Sequence, residues 1–390
     1  MTAPLAATGT PNPSRAARPW DVIVVGLGAM GSATALQLAR RGQRVLGIDR
    51  FTPPHTQGST HGESRIIREA YFESPLYVPL VQRAYELWAE LERESCARLF
   101  VPTGGLMIGP ADSEIVKGAR LSAETHRLAH EILSGTDVRR RFPAFAPPDD
   151  WLAVLESRAG VLFPERCVET SLRIAAQRGA ELHCNETVER WEADGDGVRV
   201  WTSRGSYSAG ALVLTAGPWL GQLAPELRLP LRVERQVLFW FEAAEDAADF
   251  SPARCPVHVW EYEPGKHFYG LPDVGTGSKL AVHHEGPTVS PDQVDRTLGE
   301  AETRKMQALV RRYLPRLNPT VKSFAVCLYT DTPDQHFLID RHPENAHVWI
   351  GSPCSGHGFK FASAVGEVLA DLATTAKCRF ELNLFRLDRW

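Results

Sequence analysis

A single turn near the N-terminus decides most of what this chain can fold into. Gly26-Leu27-Gly28-Ala29-Met30-Gly31 follows a short apolar run, Asp21 to Val25, that reads as a buried strand. Gly31 to Arg41 then reads as a helix with Ala35, Leu38 and Ala39 on one face, and Val45 to Ile48 as a second buried strand. Strand, helix and strand within about 30 residues form a βαβ unit. In that setting GxGxxG is a dinucleotide cradle. Gly26 permits the tight turn, Gly28 lets the backbone approach a pyrophosphate, and Gly31 lets the helix pack close to the strand. The helix start offers free N–H groups and the positive end of its dipole. Asp49 closes the second strand 18 residues after Gly31, where a carboxylate meets a ribose hydroxyl. The motif alone does not separate NAD from FAD.

At 390 residues the chain exceeds one typical domain. Helical periodicity predicts helices from Tyr77 to Arg93 and from Cys167 to Arg178, and strands at Val198 to Trp201 and Ala211 to Leu214. Val233 to Gly286 is rich in β-branched and aromatic residues broken by Pro and Gly, and predicts a meandering antiparallel sheet. His347 to Ile350 returns as a strand, followed by a Gly-rich loop and a helix striped by Phe361, Ala364, Val365, Val368, Leu369 and Leu372. The expected class is α/β, in two domains. A Rossmann-type dinucleotide-binding domain takes residues 20–90, 150–225 and 320–390; a β-rich antiparallel substrate domain takes residues 91–149 and 226–319. Residues 1–19, rich in Ala, Pro and Thr, read as a disordered tail.

The formal charge of −4, with no Lys/Arg block, argues against nucleic acid and anionic membrane surfaces. No apolar run reaches the length of a membrane span, and the first twenty residues lack a secretory apolar stretch. The seven Cys are odd in number, widely spaced and free of any CxxC pair. That excludes a zinc ribbon, predicts no metal, and points to reduced thiols in a cytoplasm.

Three further segments favour a flavin. Leu212 to Gly217 is a strand ending in Ala-Gly, which lets another backbone pass near a cofactor. The loop His55 to Arg68 brings Ser59, His61, Arg65 and Arg68 toward the ligand face of the βαβ unit. Gly356-His357-Gly358-Phe359-Lys360 joins a strand to a helix. A helix start and a Lys there would stabilise negative charge on a reduced flavin ring.

Together these residues resemble the monomeric sarcosine oxidase and N-methyltryptophan oxidase family of flavoproteins, from Asp21 to the C-terminus. The most specific stretches are Pro53 to Tyr71, Cys327 to Asp334 and Ser355 to Phe361, with Phe385-Arg386-Leu387 at the close. The resemblance implies FAD held covalently through Cys327, and cofactor contacts from Gly26, Gly28, Gly31, Asp49, Ser59, Gly217, Gly356, His357, Gly358 and Lys360. It implies that Arg68 and Lys360 grip a substrate carboxylate, and that Lys279 activates oxygen. His61, Arg65, Tyr269 and His283 match positions lining the family's active site. The family's Gly-x-Gly after the Arg-rich loop is replaced by Phe72-Glu73-Ser74-Pro75, and the spacing from Tyr269 to Lys279 is one residue shorter.

The implied activity is oxidation of an N-methyl or other secondary amino acid by oxygen, in a monomer that uses neither nucleic acid nor membrane. The products are an imine, which hydrolyses, and hydrogen peroxide. Two other readings stay open: a dehydrogenase or oxidase of a cyclic imino acid such as pipecolate, and a non-catalytic flavin-binding sensor. Peroxide yield separates the first; a carboxylate clamp beside an oxygen site counts against the second.

Overall fold

The computed structural model describes residues 19–390. The tail expected at 1–19 therefore lies outside the described residues except for Pro19. The βαβ unit comprises β1 (Trp20–Val25), α1 (Ala29–Arg40) and β2 (Val45–Ile48). β1 lies parallel between β2 and the strand Gly205–Leu214. Glu181–His183 extends the parallel set beyond β2, and Val348–Ser352 pairs with the end of Gly205–Leu214. Antiparallel strands Val188–Asp194, Gly197–Thr202 and Leu338–Arg341 complete this eight-stranded sheet.

β1 is apolar without alternation because both faces are covered. Val22 and Val24 pack with α1, Pro164–Gln177 and Ala362–Thr375, while Ile23 and Val25 face a second cluster with Leu212, Leu214 and Ile350. α1 is buried along its length by small residues. A Cβ on Gly366 would lie 2.5 Å from the Ala33 carbonyl carbon, so the last long helix approaches α1 at backbone contact.

The second sheet also has eight strands: Ser323–Asp331, Arg232–Phe241, Ser278–His283, Lys266–Leu271, Val257–Glu263, Gly105–Pro110, Trp151–Glu156 and His130–Ser134, in that spatial order. The expected meander holds for the three strands from Val257 to His283; Arg232–Phe241 crosses over to lie beside the last of them. Two memberships differ from expectation. Trp151–Glu156 and Ser323–Asp331 fall inside the segments 150–225 and 320–390 expected in the dinucleotide-binding domain, yet both pair within this second sheet. Each is a largely apolar, largely buried strand that fits either sheet locally, so distant partners decide.

Alternation gives this sheet two unlike faces. Phe239, Phe241, Trp260, Phe268 and Leu280 pack against the helix Glu300–Tyr313. The opposite face carries Tyr269, Trp240, Leu238 and Cys327 toward the first sheet. A three-stranded sheet of Arg65–Ile67, Gly160–Leu162 and Phe100–Pro102 bridges the two.

Candidate active site

One cleft, with about 1900 Å³ of empty space including its open mouth, runs from the glycine turn to Lys360. Its near end is built from the βαβ unit. Gly26 sits at φ +87, and a Cβ there would lie 2.5 Å from the Thr215 carbonyl oxygen. A Cβ on Gly31 would lie 1.7 Å from the Gly26 carbonyl oxygen, whereas one on Gly28 would meet only the Thr60 hydroxyl at 3.6 Å. Gly28 thus faces open cleft, and α1 has no side-chain cap at its start. Asp49 accepts hydrogen bonds from the Leu27 and Phe51 N–H groups, both at 2.7 Å, and burial raises its pKa. A helix start whose Ala29 N–H reaches only the Thr60 hydroxyl, at 3.4 Å, a glycine N-cap and a carboxylate at the second strand fit a dinucleotide's pyrophosphate and ribose. Gly217, at φ +54 with nothing within 4 Å of its added Cβ, lies on the same wall.

Midway along the cleft the two sheets meet at Cys327. Its Sγ donates to the Ser59 carbonyl at 3.4 Å, and an Arg65 Nη2 donor stands 3.6 Å from the sulfur. Arg65 is fixed in turn by the Ser59 carbonyl at 2.8 Å and the Ser64 carbonyl at 2.9 Å. Cys327 and Tyr329 share a strand face, so Tyr329 also lines the cleft, and its hydroxyl meets His283 Nδ1 at 3.2 Å. Burial raises the pKa of Tyr269 and drives that of His283 well down.

Lys279, His61 and Gly31 do not line the cleft. Lys279 lies behind the loop, its Nζ donating to the Gly62 carbonyl at 2.9 Å and to the Ser64 carbonyl. Burial first, and Arg65 second, push its pKa well below that of a free lysine. The shortened hairpin keeps Tyr269 and Lys279 on one face, because Tyr269 pairs with Ala281 and Leu271 with Lys279. His61 is buried, and burial with Arg65, Arg296, Lys279 and His55 lowers it to about 3.

The far end holds two buried cations. Arg68 follows the bridging strand Arg65–Ile67; Lys360 sits in the 3-10 turn Phe359–Phe361, whose backbone is held by Trp88 Nε1 donating to the Lys360 carbonyl at 3.0 Å. Arg68 lies 4.2 Å from the Tyr71 ring and 4.4 Å from that of Phe72, and its Nη2 reaches both Glu73 oxygens at 2.8 and 2.7 Å. Burial alone would raise Glu73, but Arg68, His357 and Lys360 outweigh it and hold the carboxyl at about 2. Lys360 Nζ donates to the His357 carbonyl at 2.7 Å; burial and Arg68 lower it to about 7 against the pull of Glu73. His357 Nε2 meets the Gln335 carbonyl at 3.0 Å and must donate, so Nδ1 accepts from the Tyr71 hydroxyl. Burial lowers His357 to about 3, which keeps it neutral. Gly356 and Gly358 line the same wall.

Three participants escaped the sequence reading. Tyr329 was findable, since it stands two residues from Cys327 on a strand. Glu73 belongs to the segment noted as unusual, but its pairing with Arg68 needed the folded loop. Glu156 accepts from the Glu69 N–H at 2.8 Å and from the Ala70 N–H, so it fixes the backbone just after Arg68. Nothing in its local sequence marks it.

The sequence model of a family described as FAD dependent oxidoreductase matches residues 21–372. A monomeric sarcosine oxidase of Streptomyces avermitilis is 43% identical over 94% of this chain and 96% of its own. An N-methyl-L-tryptophan oxidase of Salmonella heidelberg is 35% identical over 95% and 99%. Among solved structures, NikD, described as an unusual amino acid oxidase essential for nikkomycin biosynthesis, superposes with a TM-score of 0.83 at 26% identity, covering 95% and 97% of the two chains.

Proposed function

The chain belongs to the FAD dependent oxidoreductase family, and on that premise we propose that it oxidises N-methyl or other secondary amino acids at the expense of oxygen. The observation that carries this reading is the pair of buried cations, Arg68 and Lys360, at the end of the cleft away from the glycine turn. Glu73 occupies the Arg68 guanidinium in the ligand-free site, and a substrate carboxylate that displaces it would meet both a guanidinium fork and an ammonium, a donor set suited to a carboxylate.

Gly26, Gly28, Asp49, Ser59, Gly217 and Gly356 would hold the cofactor, and Cys327 would tether it. FAD, when bound, supplies the two-electron acceptor for the carbon beside the substrate nitrogen. The chain's residues do the rest. Arg68 and Lys360 orient the substrate through its carboxylate, which fixes the reacting carbon. Neutral His357, locked between Tyr71 and Gln335, keeps a further positive charge from competing for that carboxylate. Tyr269, Tyr329 and His283 form an uncharged wall suited to an uncharged amine. The imine product hydrolyses, giving formaldehyde from an N-methyl group, and oxygen leaves as hydrogen peroxide. Lys279 takes the oxygen-side role from behind the Gly62–Ser64 loop, acting through the backbone that it holds and the field of its Nζ rather than by touching the cleft. We assign the protein to the cytoplasm as a monomer; no helix among the described residues is long and apolar enough to cross a membrane.

The testing experiment is an aerobic peroxide assay over sarcosine, N-methyltryptophan, pipecolate and proline. Stoichiometric peroxide from at least one N-methyl amino acid is expected. Turnover without peroxide would indicate a dehydrogenase, and binding without turnover a sensor. Lys279→Met is expected to slow reoxidation by oxygen far more than anaerobic reduction, as read by stopped-flow absorbance. Equal slowing of both would remove the role assigned to it.

A further inference from the structure

Outside the cleft, the ends of three neighbouring strands gather Glu234, His284 and Asp331, each of which offers one ligand atom, the three lying within 4.8 Å of one another. Glu234 comes from Arg232–Phe241, Asp331 ends Ser323–Asp331, and His284 directly follows Ser278–His283. We infer that these three side chains form a binding site for a divalent cation of the zinc class, set directly behind the wall of the cleft.

The charge balance leads there. The Glu234 side chain is fully buried and that of Asp331 is 5% exposed. Among the described residues the guanidinium facing both is that of Arg232, 54% exposed; it touches Glu234 at 2.7 Å but stands 3.9 Å from Asp331. Glu234 is well served, accepting also from the Gly286 N–H at 2.8 Å and from Gln236 Nε2. Asp331 is not. Neither of its oxygens has a hydrogen-bond donor among the described residues, nor has His284 Nδ1 a partner; the two groups face each other at 3.7 Å. A buried carboxylate lacking donors beside an imidazole nitrogen with a free position is an incomplete coordination set.

The donor types select the ion. One imidazole nitrogen and two carboxylates suit zinc or manganese, and zinc binds such a set more tightly. Metal–ligand bonds of roughly 2.0–2.2 Å bring donor atoms about 3–4 Å apart. Small side-chain rotations of His284 and Asp331 close that gap. Arg232, half in solvent, swings away from Glu234 as the cation takes over its charge. The His284 ring lies 4.0 Å from that of His283 and 5.3 Å from that of Tyr329, so an ion held here stiffens two residues that line the cleft.

The test uses the tag-free holoenzyme, stripped with a chelator and titrated with Zn²⁺ alone, with bound metal measured by elemental analysis and calorimetry. One zinc per chain is expected, with a rise in Tm. Asp331→Asn and His284→Gln are each expected to weaken binding by at least about tenfold, a loss at the low end of that seen when a metal site is perturbed. Arg232→Ala removes the cation that competes for Glu234 while leaving all three ligand side chains in place, and is expected to tighten binding, which keeps the proposal open to test if a ligand variant fails to fold. Absence of saturable zinc in the wild type overturns it. So does stoichiometric zinc whose affinity is indifferent to all three substitutions.

Discussion

Arg68 cannot grip Glu73 and a substrate carboxylate through the same fork at once. The Arg68–Glu73 pair is therefore both a stabiliser of the ligand-free loop and a competitor for the substrate. Glu73→Gln weakens that competition and is expected to tighten binding of a simple carboxylate by about threefold to tenfold, the worth of a partly buried charged pair. Titration of the flavin spectrum measures this; unchanged or weaker binding would mean that Arg68 never turns to the substrate. Lys360 adds a pH dependence. Its folded pKa of about 7 lies below that of a free lysine, so it is charged at lower pH and loses its proton as pH rises through that value. Affinity for propionate is therefore expected to be flat below about pH 7 and to fall above it by up to about tenfold per pH unit. Lys360→Met should flatten the curve. A wild-type profile level from about pH 6 to 9 would show that Lys360 keeps its charge by other means.

The glycine turn separates fold from function within one element. At Gly31 an added methyl collides with the Gly26 carbonyl, while at Gly28 it projects into the cleft. Gly31→Ala is expected to cost about 1–3 kcal/mol of stability by overpacking. Gly28→Ala should keep the apoprotein's Tm and lose flavin. Circular dichroism melts and flavin absorbance separate the two effects; the reverse pattern would refute the assignment. This element was the most legible in the sequence, because strand, turn, helix and acid all lie within 30 residues and obey local rules, and β2 begins and ends where periodicity set it. Cys327 was legible only through family resemblance, since an isolated buried thiol carries no local signal; the loops of Arg68 and Lys360 placed both near the cofactor, and only their carboxylate role came from the resemblance. What stayed hidden was contact between distant segments. Glu156 secures the backbone at residues 69 and 70 across 87 and 86 positions of chain, and no spacing rule reaches that far.

At the scale of the molecule, the cleft exists because two sheets divide the labour. The first presents glycines and a carboxylate at the ends of parallel strands; the second turns alternate residues of an antiparallel face toward them. The membership of Ser323–Asp331 in the second sheet carries Cys327 to the junction, and the loop after Arg65–Ile67 carries Arg68 to the far end. The account's central claim is that this far end recognises an acid group. The most direct test is anaerobic stopped-flow reduction of the bound flavin by sarcosine and by dimethylamine, which is sarcosine without its carboxylate. Rapid bleaching by sarcosine, none by dimethylamine, and loss of the sarcosine reaction in Arg68→Met and Lys360→Met are expected. Equal bleaching by both amines, or full activity in the two variants, would contradict the account.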